Sequence, residues 1–412
     1  MPQSAAPADA AKRAPKTARW VEPRLVAEVR FTEWTPDRSL RHPAFLGLRE
    51  DKSPREVVLD PRTGTAEAEA LDLPHQSARP KQQHSKIVRP RSVTPKGSAD
   101  VAGVRITHAN KVLWPDTGYT KLDLARYYEA VAERILPHFT GRPLSLVRAP
   151  DGIGKQTFFQ KHEHVGTPKA IRRVQIPEGD GTGAEAATYL TVDDVAGLVS
   201  LAQIGVVEIH PWGSTVRRLE QPDRIIFDLD PDGGLPWSRV CDAAFELREA
   251  LAGAAGLQSF AKTTGGKGLH VVVPLDAAAD WGTVKFFAKT VAEACAGAAP
   301  DRYTANLAKR ARTGRIFIDY LRNGRGATAV AAYSPRARSG ATVSMPVGWD
   351  DVAARIDPRE FTVATVPVLL AKRRKDPWEG FASAKQTLPG VRAKRSSAKK
   401  RLGAGRKEAA GP

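Results

Sequence analysis

The spacing of apolar residues along this chain changes several times, and each spacing predicts a different element. Near the N-terminus, residues 25–32 alternate between two sets of positions, with Leu25, Ala27, Val29 and Phe31 on one side. A period of two is typical of a β-strand. Further along, short continuous apolar runs such as Arg224–Pro231 and Leu269–Pro274 predict buried strands.

Three other stretches have the three- and four-residue apolar spacing of helices. The first begins after Thr120, which can cap a helix N-terminus, and ends at Pro137. The second spans residues 237–252, and the third begins after Asp280. Their apolar faces are Leu124, Tyr127, Val131 and Ile135; Val240, Ala244, Leu247 and Leu251; and Val284, Phe287, Val291 and Cys295. Helices and strands are intermixed, which predicts an α+β fold.

The run Arg224–Pro231 ends in two carboxylates, Asp228 and Asp230. Alternate residues of a strand point the same way, so both carboxylates lie on one face. Divalent cations prefer several oxygen ligands, and an aligned pair of this kind can begin a two-metal site. The alternative is a structural pair that caps the turn at Pro231.

Two later segments favour the functional interpretation. Residues 261–274 form a Gly-rich loop that runs into a strand, with Lys267 in the loop and His270 at the start of the strand. It is not a Walker A loop, because Gly268 stands where Ser or Thr would meet Mg²⁺. Asp319 ends another strand, and Arg322, Arg336 and Arg338 follow it. Carboxylates for metals beside cationic groups for a triphosphate indicate nucleotidyl transfer.

Composition indicates a polyanionic partner. The 412 residues carry a net charge of +18, and the last 42 residues alone contain 13 Lys and Arg against 3 Asp and Glu. The two cysteines, Cys241 and Cys295, predict free thiols in a reducing compartment rather than a disulfide framework. No apolar run approaches 18 residues and no signal sequence is recognisable, so we expect a cytoplasmic protein.

The same patterns predict five regions. Residues 1–18 form a disordered N-terminus, 19–60 a small compact segment, and 61–103 a basic linker rich in Pro, Gln and Ser. Residues 104–381 form the main domain, and 382–412 a disordered basic tail.

Three of these motifs resemble those of the archaeo-eukaryotic primase superfamily: Phe227-Asp-Leu-Asp-Pro231, Lys262-Thr-Thr-Gly-Gly-Lys-Gly-Leu-His270 and Phe317-Ile-Asp-Tyr-Leu-Arg-Asn323. The specific resemblance is to the polymerase domain of bacterial DNA ligase D, which acts in end-joining repair. It covers roughly residues 105–381 and includes Thr107–Pro115, Phe158–His162 and Val207–Trp212. It implies a primase-polymerase fold, a catalytic β-sheet flanked by helices.

The resemblance also implies roles for individual residues. Asp228, Asp230 and Asp319 would be the catalytic carboxylates and would hold two Mn²⁺ or Mg²⁺ ions. The residues implied in binding the NTP or dNTP are His210, Thr264, Lys267, His270, Arg322 and Arg336. The residues implied in binding DNA are Lys111, Lys121, Arg148, Phe158 and Phe159, the two lysines gripping a 5′-phosphate.

Each of these residues also has a structural interpretation. His210 is either near the nucleotide sugar or a buried histidine held by carbonyl groups, and His270 is either a ligand or a core histidine. Phe158 and Phe159 are adjacent in a strand, so one is expected to face the core and the other solvent. Lys111 and Lys121 look like exposed lysines, of the kind that are usually only solvated.

The compact segment 19–60 resembles the end of the OB domain of an ATP-dependent DNA ligase, with Arg49-Glu-Asp-Lys52 matching its final motif. The chain contains no Lys-x-Asp-Gly sequence, so the lysine that would carry AMP is missing. We therefore interpret this segment as a ligase remnant and expect no ligase activity from this chain alone.

The function expected from these observations is metal-dependent, template-directed polymerisation at gaps and ends during non-homologous end joining. A DNA ligase fragment, a non-catalytic DNA-end-binding module and a primase that starts chains de novo remain as alternatives. Expected partners are DNA with breaks or gaps bearing a 5′-phosphate, with a Ku-like end-binding protein and a separate ligase chain as further possibilities. We expect the protein at the bacterial nucleoid.

Overall fold

The structure is a computed structural model of the chain. It describes residues 26–30, 33–34, 40–41, 44–48, 97–178, 185–373 and 375–391. The chain divides into two compact units, Met1–Arg89 and Pro90–Pro412. The predicted disordered segment 1–18, the motif at 49–52, the linker as far as residue 96 and the tail beyond residue 391 lie outside the described residues.

The first unit is described through four short strands: β1 Ala27–Arg30, β2 Glu33–Trp34, β3 Leu40–Arg41 and β4 Ala44–Leu48. β1 lies within the stretch whose period of two predicted a strand. It pairs antiparallel with β4, with an irregularity between Glu28 and Val29, and β2 pairs antiparallel with β3.

The second unit contains the remaining described strands and helices. The strands are β5 Ala99–Val101, β6 Val104–Ile106, β7 Val112–Trp114, β8 Tyr119–Thr120, β9 Leu144–Arg148, β10 Phe158–Gln160, β11 Arg172–Pro177, β12 Ala186–Thr191, β13 Val206–Pro211, β14 Arg224–Pro231, β15 Phe260–Thr263, β16 Leu269–Pro274, β17 Tyr303–Thr304, β18 Ile316–Asp319 and β19 Pro346–Val347. The helices are α1 Lys121–Ile135, α2 Val195–Gln203, α3 Trp237–Ala255, α4 Trp281–Ala298, α5 Trp349–Ala353 and α6 Thr365–Lys372. This mixture confirms the predicted α+β class.

A six-stranded sheet forms the centre of the unit, in the order β17-β18-β14-β16-β15-β19. All neighbours are antiparallel except β17 and β18. The side chains of β14 alternate strictly between buried and half-buried. One face of this strand is therefore packed into the core, and the other is left for polar side chains.

Helix α1 begins and ends where the sequence places its signals. Thr120 caps α1: its hydroxyl accepts from Asp123 N at 3.2 Å, while the Asp123 carboxylate accepts from Thr120 N at 2.8 Å. This reciprocal capping satisfies two otherwise unpaired backbone donors. Pro137 follows in a 3₁₀ turn, Leu136–His138, and ends the helix.

Helices α3 and α4 pack against the six-stranded sheet. The predicted face of α3 is buried in full, but the prediction for α4 was partly wrong. Val284 is buried together with Ala288 and Ala292, whereas the larger Phe287 and Val291 are only half-buried. The smaller side chains, at spacing i, i+4, are therefore buried between the helix and the sheet, whereas the bulkier ones stay partly exposed.

A second, five-stranded sheet is organised around β9. This strand pairs antiparallel with β10 and β13 and touches β12 at a single pair, and β12 pairs with β11. β10 lies at an edge of this sheet.

Both cysteines are free, with Cys241 buried and Cys295 half-buried.

The described fold extends slightly beyond residues 104–381 at both ends. β5 pairs with β6 from residue 99 onward. Beyond residue 381, Leu388 is buried and Gln386 Nε2 donates to Pro274 O at 3.1 Å. The chain as far as Val391 therefore belongs with the packed unit.

Candidate active site

Four strands of the six-stranded sheet place polar side chains in one row. Asp228 is the register partner of Asp319 on one side and of His270 on the other, and His270 pairs in turn with Lys262. Register partners project from the same face of a sheet. Alternation along β14 places Asp230 on this face as well. The sheet thus brings together the three carboxylates that the sequence singled out.

Arg322 and His270 contact the central carboxylates. Arg322 lies between Asp228 and Asp319, with its Nη2 3.5 Å from an Asp228 oxygen and its Nε 3.2 Å from an Asp319 oxygen. His270 Nε2 lies 3.4 Å from the other oxygen of Asp228. A cation shared by two carboxylates lowers the repulsion that would otherwise separate them.

Asp230 lies nearer the surface and has cationic partners of its own. Lys267 Nζ is 3.2 Å from one carboxylate oxygen, and Arg312 Nη1 is 3.0 Å from the other. Lys267 also donates to Pro231 O, and the Arg312 guanidinium lies 4.0 Å from the centre of the Phe317 ring. Each of the three carboxylates is therefore close to at least one positive charge.

These surroundings shift the pKa values of Asp228 and Asp319 in opposite directions. Burial alone would raise the pKa of Asp228, but His270 and Arg322 hold that pKa well below its usual value. The pKa of Asp319 is raised by burial, with Arg322 opposing the shift and the Asp228 charge adding to it. Asp228 is consequently the firmly ionised member of the pair.

The donor set has the chemistry that a hard divalent cation requires, since three carboxylates share one face. Within the described part of the chain, no group of three or more His, Cys, Asp or Glu side chains is already arranged around a metal position. Arg322, Arg312 and Lys267 instead occupy the carboxylate oxygens. These cations are also groups that bind phosphate, so a metal and a triphosphate arriving together would supply both sets of partners.

The Gly-rich loop, residues 264–268, lies against the end of β14. Thr264 Oγ1 donates to Gly268 O at 3.0 Å and accepts from Gly266 N at 3.3 Å, which closes the loop on itself. A side-chain carbon on Gly268 would lie 2.6 Å from Leu229 O. Only glycine therefore allows this close approach of loop and strand.

Two arginines lie over the loop. Arg336 Nη1 donates to Thr264 O. Arg338 Nη1 would lie 3.3 Å from a carbon placed on Gly266. Together with Lys267, these side chains bring positive charge to the loop, as a phosphate-binding position requires.

His270 and Lys262 form the buried end of the row. Burial, reinforced by the charge of Lys262, lowers the pKa of His270 to about 4. Its Nδ1 has no hydrogen-bond partner among the described residues. Lys262 Nζ donates to Ser344 Oγ at 2.7 Å, and burial lowers its pKa far below the usual value. The ring of His270 is therefore neutral at physiological pH.

The second predicted histidine, His210, belongs to the five-stranded sheet. Its Nε2 lies 2.8 Å from Glu208 Oε2, and its ring centre lies 6.2 Å from that of Phe159. Glu208 also contacts Arg336, with 3.1 Å between Oε1 and the guanidinium Nε. The structural interpretation, a histidine held by carbonyl groups, is wrong, because its partner is a carboxylate.

The aromatic pair is exposed. Phe158 and Phe159 are 47% and 56% exposed on the edge strand β10. The expectation that one of them would face the core was wrong, because both side chains are exposed and neither is packed into the core. Arg148, the register partner of Phe158, donates to Ile204 O at 3.0 Å and lies against Gln160 and His164. Its guanidinium is thus anchored beside the aromatic surface.

Lys111 and Lys121 are close together, because Lys121 N donates to Lys111 O at 2.8 Å. Lys111 is partly exposed and lies 2.5 Å from Asp151. Lys121 was expected to be exposed but is only 7% exposed, and its Nζ donates to Thr107 O at 3.0 Å. Burial and the neighbouring Lys111 charge lower the pKa of Lys121 to about 8. Lys121 is the first residue of α1, where the helix dipole favours anions.

Three residues of the site were not singled out from the sequence: Glu208, Lys262 and Arg312. Glu208 precedes His210 by two residues in a strand, and this spacing was an available sign that both share a face. Lys262 required knowledge of the β15–β16 register. Arg312 lies in a 3₁₀ turn, Lys309–Arg312, and no periodicity marks it.

The fold and this set of side chains together define a domain of the primase-polymerase class. The chain belongs to the family described as LigD, primase-polymerase domain, whose model matches residues 120–378. A second family model, described as the ATP dependent DNA ligase C terminal region, matches residues 1–52.

Proteins with related sequences support this assignment. The multifunctional non-homologous end joining protein LigD of Pseudomonas aeruginosa is 37% identical over 373 residues, which is 90% of this chain and 42% of that protein. The corresponding protein of Mycobacterium tuberculosis is 36% identical over 270 residues, 63% of this chain and 35% of its own length. The chain thus spans less than half the length of these curated relatives.

A solved structure, the polymerase domain from Mycobacterium tuberculosis ligase D in complex with DNA, shares the fold. Its TM-score is 0.63 at 31% sequence identity, covering 69% of this chain and 99% of that one. This match confirms the predicted primase-polymerase fold.

Among the described helices, none has the length and apolar character needed to span a membrane.

Proposed function

We propose that this chain is a metal-dependent, template-directed nucleotidyltransferase that fills gaps and extends ends during non-homologous end joining. The row Asp319–Asp228–His270 beside the Gly-rich loop carries this proposal. Carboxylates within reach of phosphate-binding cations suit attack of a primer 3′-OH on the α-phosphate of an NTP or dNTP.

Asp228, Asp230 and Asp319 would hold the divalent cations, either Mn²⁺ or Mg²⁺. When bound, such ions lower the pKa of the attacking hydroxyl and neutralise the charge that develops on the phosphates. Arg322 and Lys267 would then turn from the carboxylates toward the triphosphate. Their present distances from carboxylate oxygens, 3.2 to 3.5 Å, support this proposal, because both cations already lie beside the groups that would hold the metal ions.

The nucleotide would lie between the Gly-rich loop of the six-stranded sheet and His210 of the five-stranded sheet. Thr264, His270 and Arg336 border the Gly-rich loop, where the phosphates would bind, and His210 would contact the sugar. A 2′-OH can be hydrogen-bonded by a histidine, so we propose that ribonucleotides are accepted as well as deoxyribonucleotides.

DNA would bind across the five-stranded sheet and the start of α1. Phe158 and Phe159, which are both exposed, would stack on template bases, with Arg148 beside them. Lys111 and Lys121 would hold the 5′-phosphate at the far side of a gap. The solved relative was obtained in complex with DNA, which supports a DNA partner. A Ku-like end-binding protein, a separate ligase chain and a location at the nucleoid belong to the same proposal.

The match of residues 1–52 to a ligase C-terminal region favours one other function, nick sealing. The absence of Lys-x-Asp-Gly from the sequence removes the usual nucleophile for adenylation. We therefore propose that this chain alone does not seal nicks. Incubation with radiolabelled ATP tests this point, and a covalent protein–AMP band would contradict it.

Primer extension on a gapped duplex with a 5′-phosphate tests the main proposal. NTPs and dNTPs are compared, each with Mg²⁺ or Mn²⁺. We expect templated addition that requires metal and is lost in Asp228→Ala. Untemplated addition, or none under any of the four conditions, would contradict the proposal.

A further inference from the structure

Glu208 is a buried carboxylate that joins the two halves of the nucleotide site. It lies on β13 of the five-stranded sheet and is 6% exposed. Its Oε1 accepts from Ala337 N at 2.7 Å and lies 3.1 Å from Arg336 Nε, while its Oε2 lies 2.8 Å from His210 Nε2. Two of its three partners are thus side chains that the sequence assigned to nucleotide binding.

The contact with Arg336 is an ion pair rather than a second hydrogen bond, because the Nε–H has no correctly directed acceptor among the described residues. The guanidinium is held at its other end by Thr264 O in the Gly-rich loop. Arg336 is therefore fixed between the five-stranded sheet and the loop of the six-stranded sheet. One side-chain bond reinforces this segment, since Trp114 Nε1 donates to the backbone carbonyl of Arg336 at 3.0 Å.

The contact with His210 determines which ring nitrogen carries the proton. Burial would raise the pKa of Glu208, but His210 and Arg336 together hold it at about 2, so the carboxylate is ionised and can only accept. His210 Nε2 must therefore donate. Burial lowers the pKa of His210, which keeps the ring neutral and leaves Nδ1 with a free lone pair.

We propose that Glu208 is a positioning residue for the incoming nucleotide, fixing the tautomer of His210 and the orientation of Arg336 at the same time. This inference rests on the proposed nucleotidyl-transfer function. In the resulting site, His210 Nδ1 presents an acceptor to a sugar hydroxyl and Arg336 presents a fixed donor set to the phosphates. Preorganised partners of this kind improve binding because less order has to be created when the ligand arrives.

A purely structural role is the alternative. Buried ion pairs frequently contribute little net stability, because removing both charges from water offsets their attraction. A carboxylate kept here for stability alone would change the melting temperature but not the KM for nucleotide. One that acts through His210 and Arg336 would lose its effect once both side chains were gone.

Glu208→Gln tests the distinction, because it preserves shape and removes the charge. We expect the KM for NTP to rise about tenfold, with kcat and gapped-DNA affinity changing less than about twofold. In a His210→Ala, Arg336→Ala background, Glu208→Gln should have no further effect. Glu246→Gln is the matched control, since Glu246 pairs with Arg302 and Tyr303 away from this site. An equal loss in both backgrounds would contradict the inference.

A measurement on the unaltered protein does not depend on the variant folding. The nine histidines are labelled with ¹⁵N, and the His210 signals are assigned by their disappearance in His210→Gln. We expect a protonated Nε2 and an unprotonated Nδ1 at neutral pH, and the reverse pattern would overturn the inference. Primer extension by the wild-type chain separates the two proposals: an inactive chain contradicts the function, whereas the ¹⁵N spectrum tests Glu208 in either case.

Discussion

The two large sheets of the second unit present their functional side chains in different ways. In the six-stranded sheet, the candidates form one register row across four adjacent strands, and Asp319, His270 and Lys262 are buried. In the five-stranded sheet, the candidates are an exposed aromatic pair on an edge strand, Arg148 on β9 and one histidine on β13. In the first sheet, strand register fixes the positions of the charged side chains. In the second sheet, the aromatic side chains are accessible because they are exposed on an edge strand.

The difference follows from the chemistry that each sheet would perform. Metal and triphosphate demand several charges within a few ångströms, and only neighbouring strands in fixed register hold like charges so close while supplying cations between them. Bases present flat apolar faces of variable sequence, and exposed rings accept any of them. A rigid charged row and an adaptable aromatic edge therefore suit the reacting end and the template, respectively.

The largest expected effect breaks the charged row. Asp228→Asn removes the carboxylate that lies between two strands and contacts Arg322 and His270, and we expect nucleotide addition to fall roughly a thousandfold or more. Affinity for gapped DNA should change little. Asp232→Asn is the control, because Asp232 lies two residues beyond Asp230 and its carboxylate accepts from the backbone N–H groups of Gly233 and Gly314. A comparable loss of nucleotide addition in Asp232→Asn would contradict the catalytic role assigned to the row of carboxylates.

The second prediction concerns an ion pair between two segments, one just before β9 of the five-stranded sheet and one just before β14 of the six-stranded sheet. Arg142, just before β9, is buried and donates to the carboxylate of Asp223, just before β14. Asp223→Asn leaves this guanidinium buried without its charge partner, so we expect the free energy of unfolding to fall by about 3 kcal/mol. Urea unfolding measures the loss. Asp242→Asn, which breaks an exposed pair with Arg355, should cost less than about 1 kcal/mol.

The same pair predicts a pH dependence. Burial would raise the pKa of Asp223, but Arg224 and Arg142 lower it from 3.8 to about 2. A lowered folded-state pKa stabilises the fold above the unfolded value and loses this contribution as pH falls through the folded value. The stability difference between wild type and Asp223→Asn should therefore narrow between pH 4 and pH 2. A constant difference would show that the charge is not responsible.

The third prediction concerns the aromatic edge. Replacing Phe158 and Phe159 by Ala should weaken binding to a single-stranded template overhang by roughly 1–3 kcal/mol for each stacked base. Both rings are exposed, so the melting temperature should hardly change. Phe286→Ala, an exposed ring on α4, is the control and should leave DNA affinity unaltered. A lower melting temperature with unchanged DNA affinity would show that the two rings stabilise the fold and do not bind the template.

The sequence predicted the charged row better than the edge, for a physical reason. Spacing i, i+2 implies a shared strand face wherever the strand lies, so Asp228 and Asp230 were aligned without knowledge of the fold. Thr120 and Pro137 marked the ends of α1 through local chemistry alone. Burial of a particular strand is a tertiary property, and so the exposure of Phe158 and Phe159 could not be deduced from their adjacency.

The residues missed by sequence reasoning depend on contacts between distant segments. Lys262 joins the row only through the register of β15 with β16, and Arg312 meets Asp230 across 82 positions of sequence. The burial of Lys121 likewise depends on Thr107, whose carbonyl accepts from its ammonium group. No periodicity within one segment carries such information.

The smallest expected effect concerns the lysines at the start of α1 and sharpens the contrast between fixed and adaptable sites. Lys111→Ala should weaken binding to gaps with a 5′-phosphate about tenfold and hardly affect gaps with a 5′-hydroxyl. Lys155→Ala, an exposed neighbouring lysine, is the control. The phosphate-specific part of the affinity should also decline between pH 7 and pH 9, because burial lowers the pKa of Lys121 to about 8 and its charge is lost above that value. Equal weakening on both gaps would make Lys111 a general contact with DNA rather than a ligand of the 5′-phosphate.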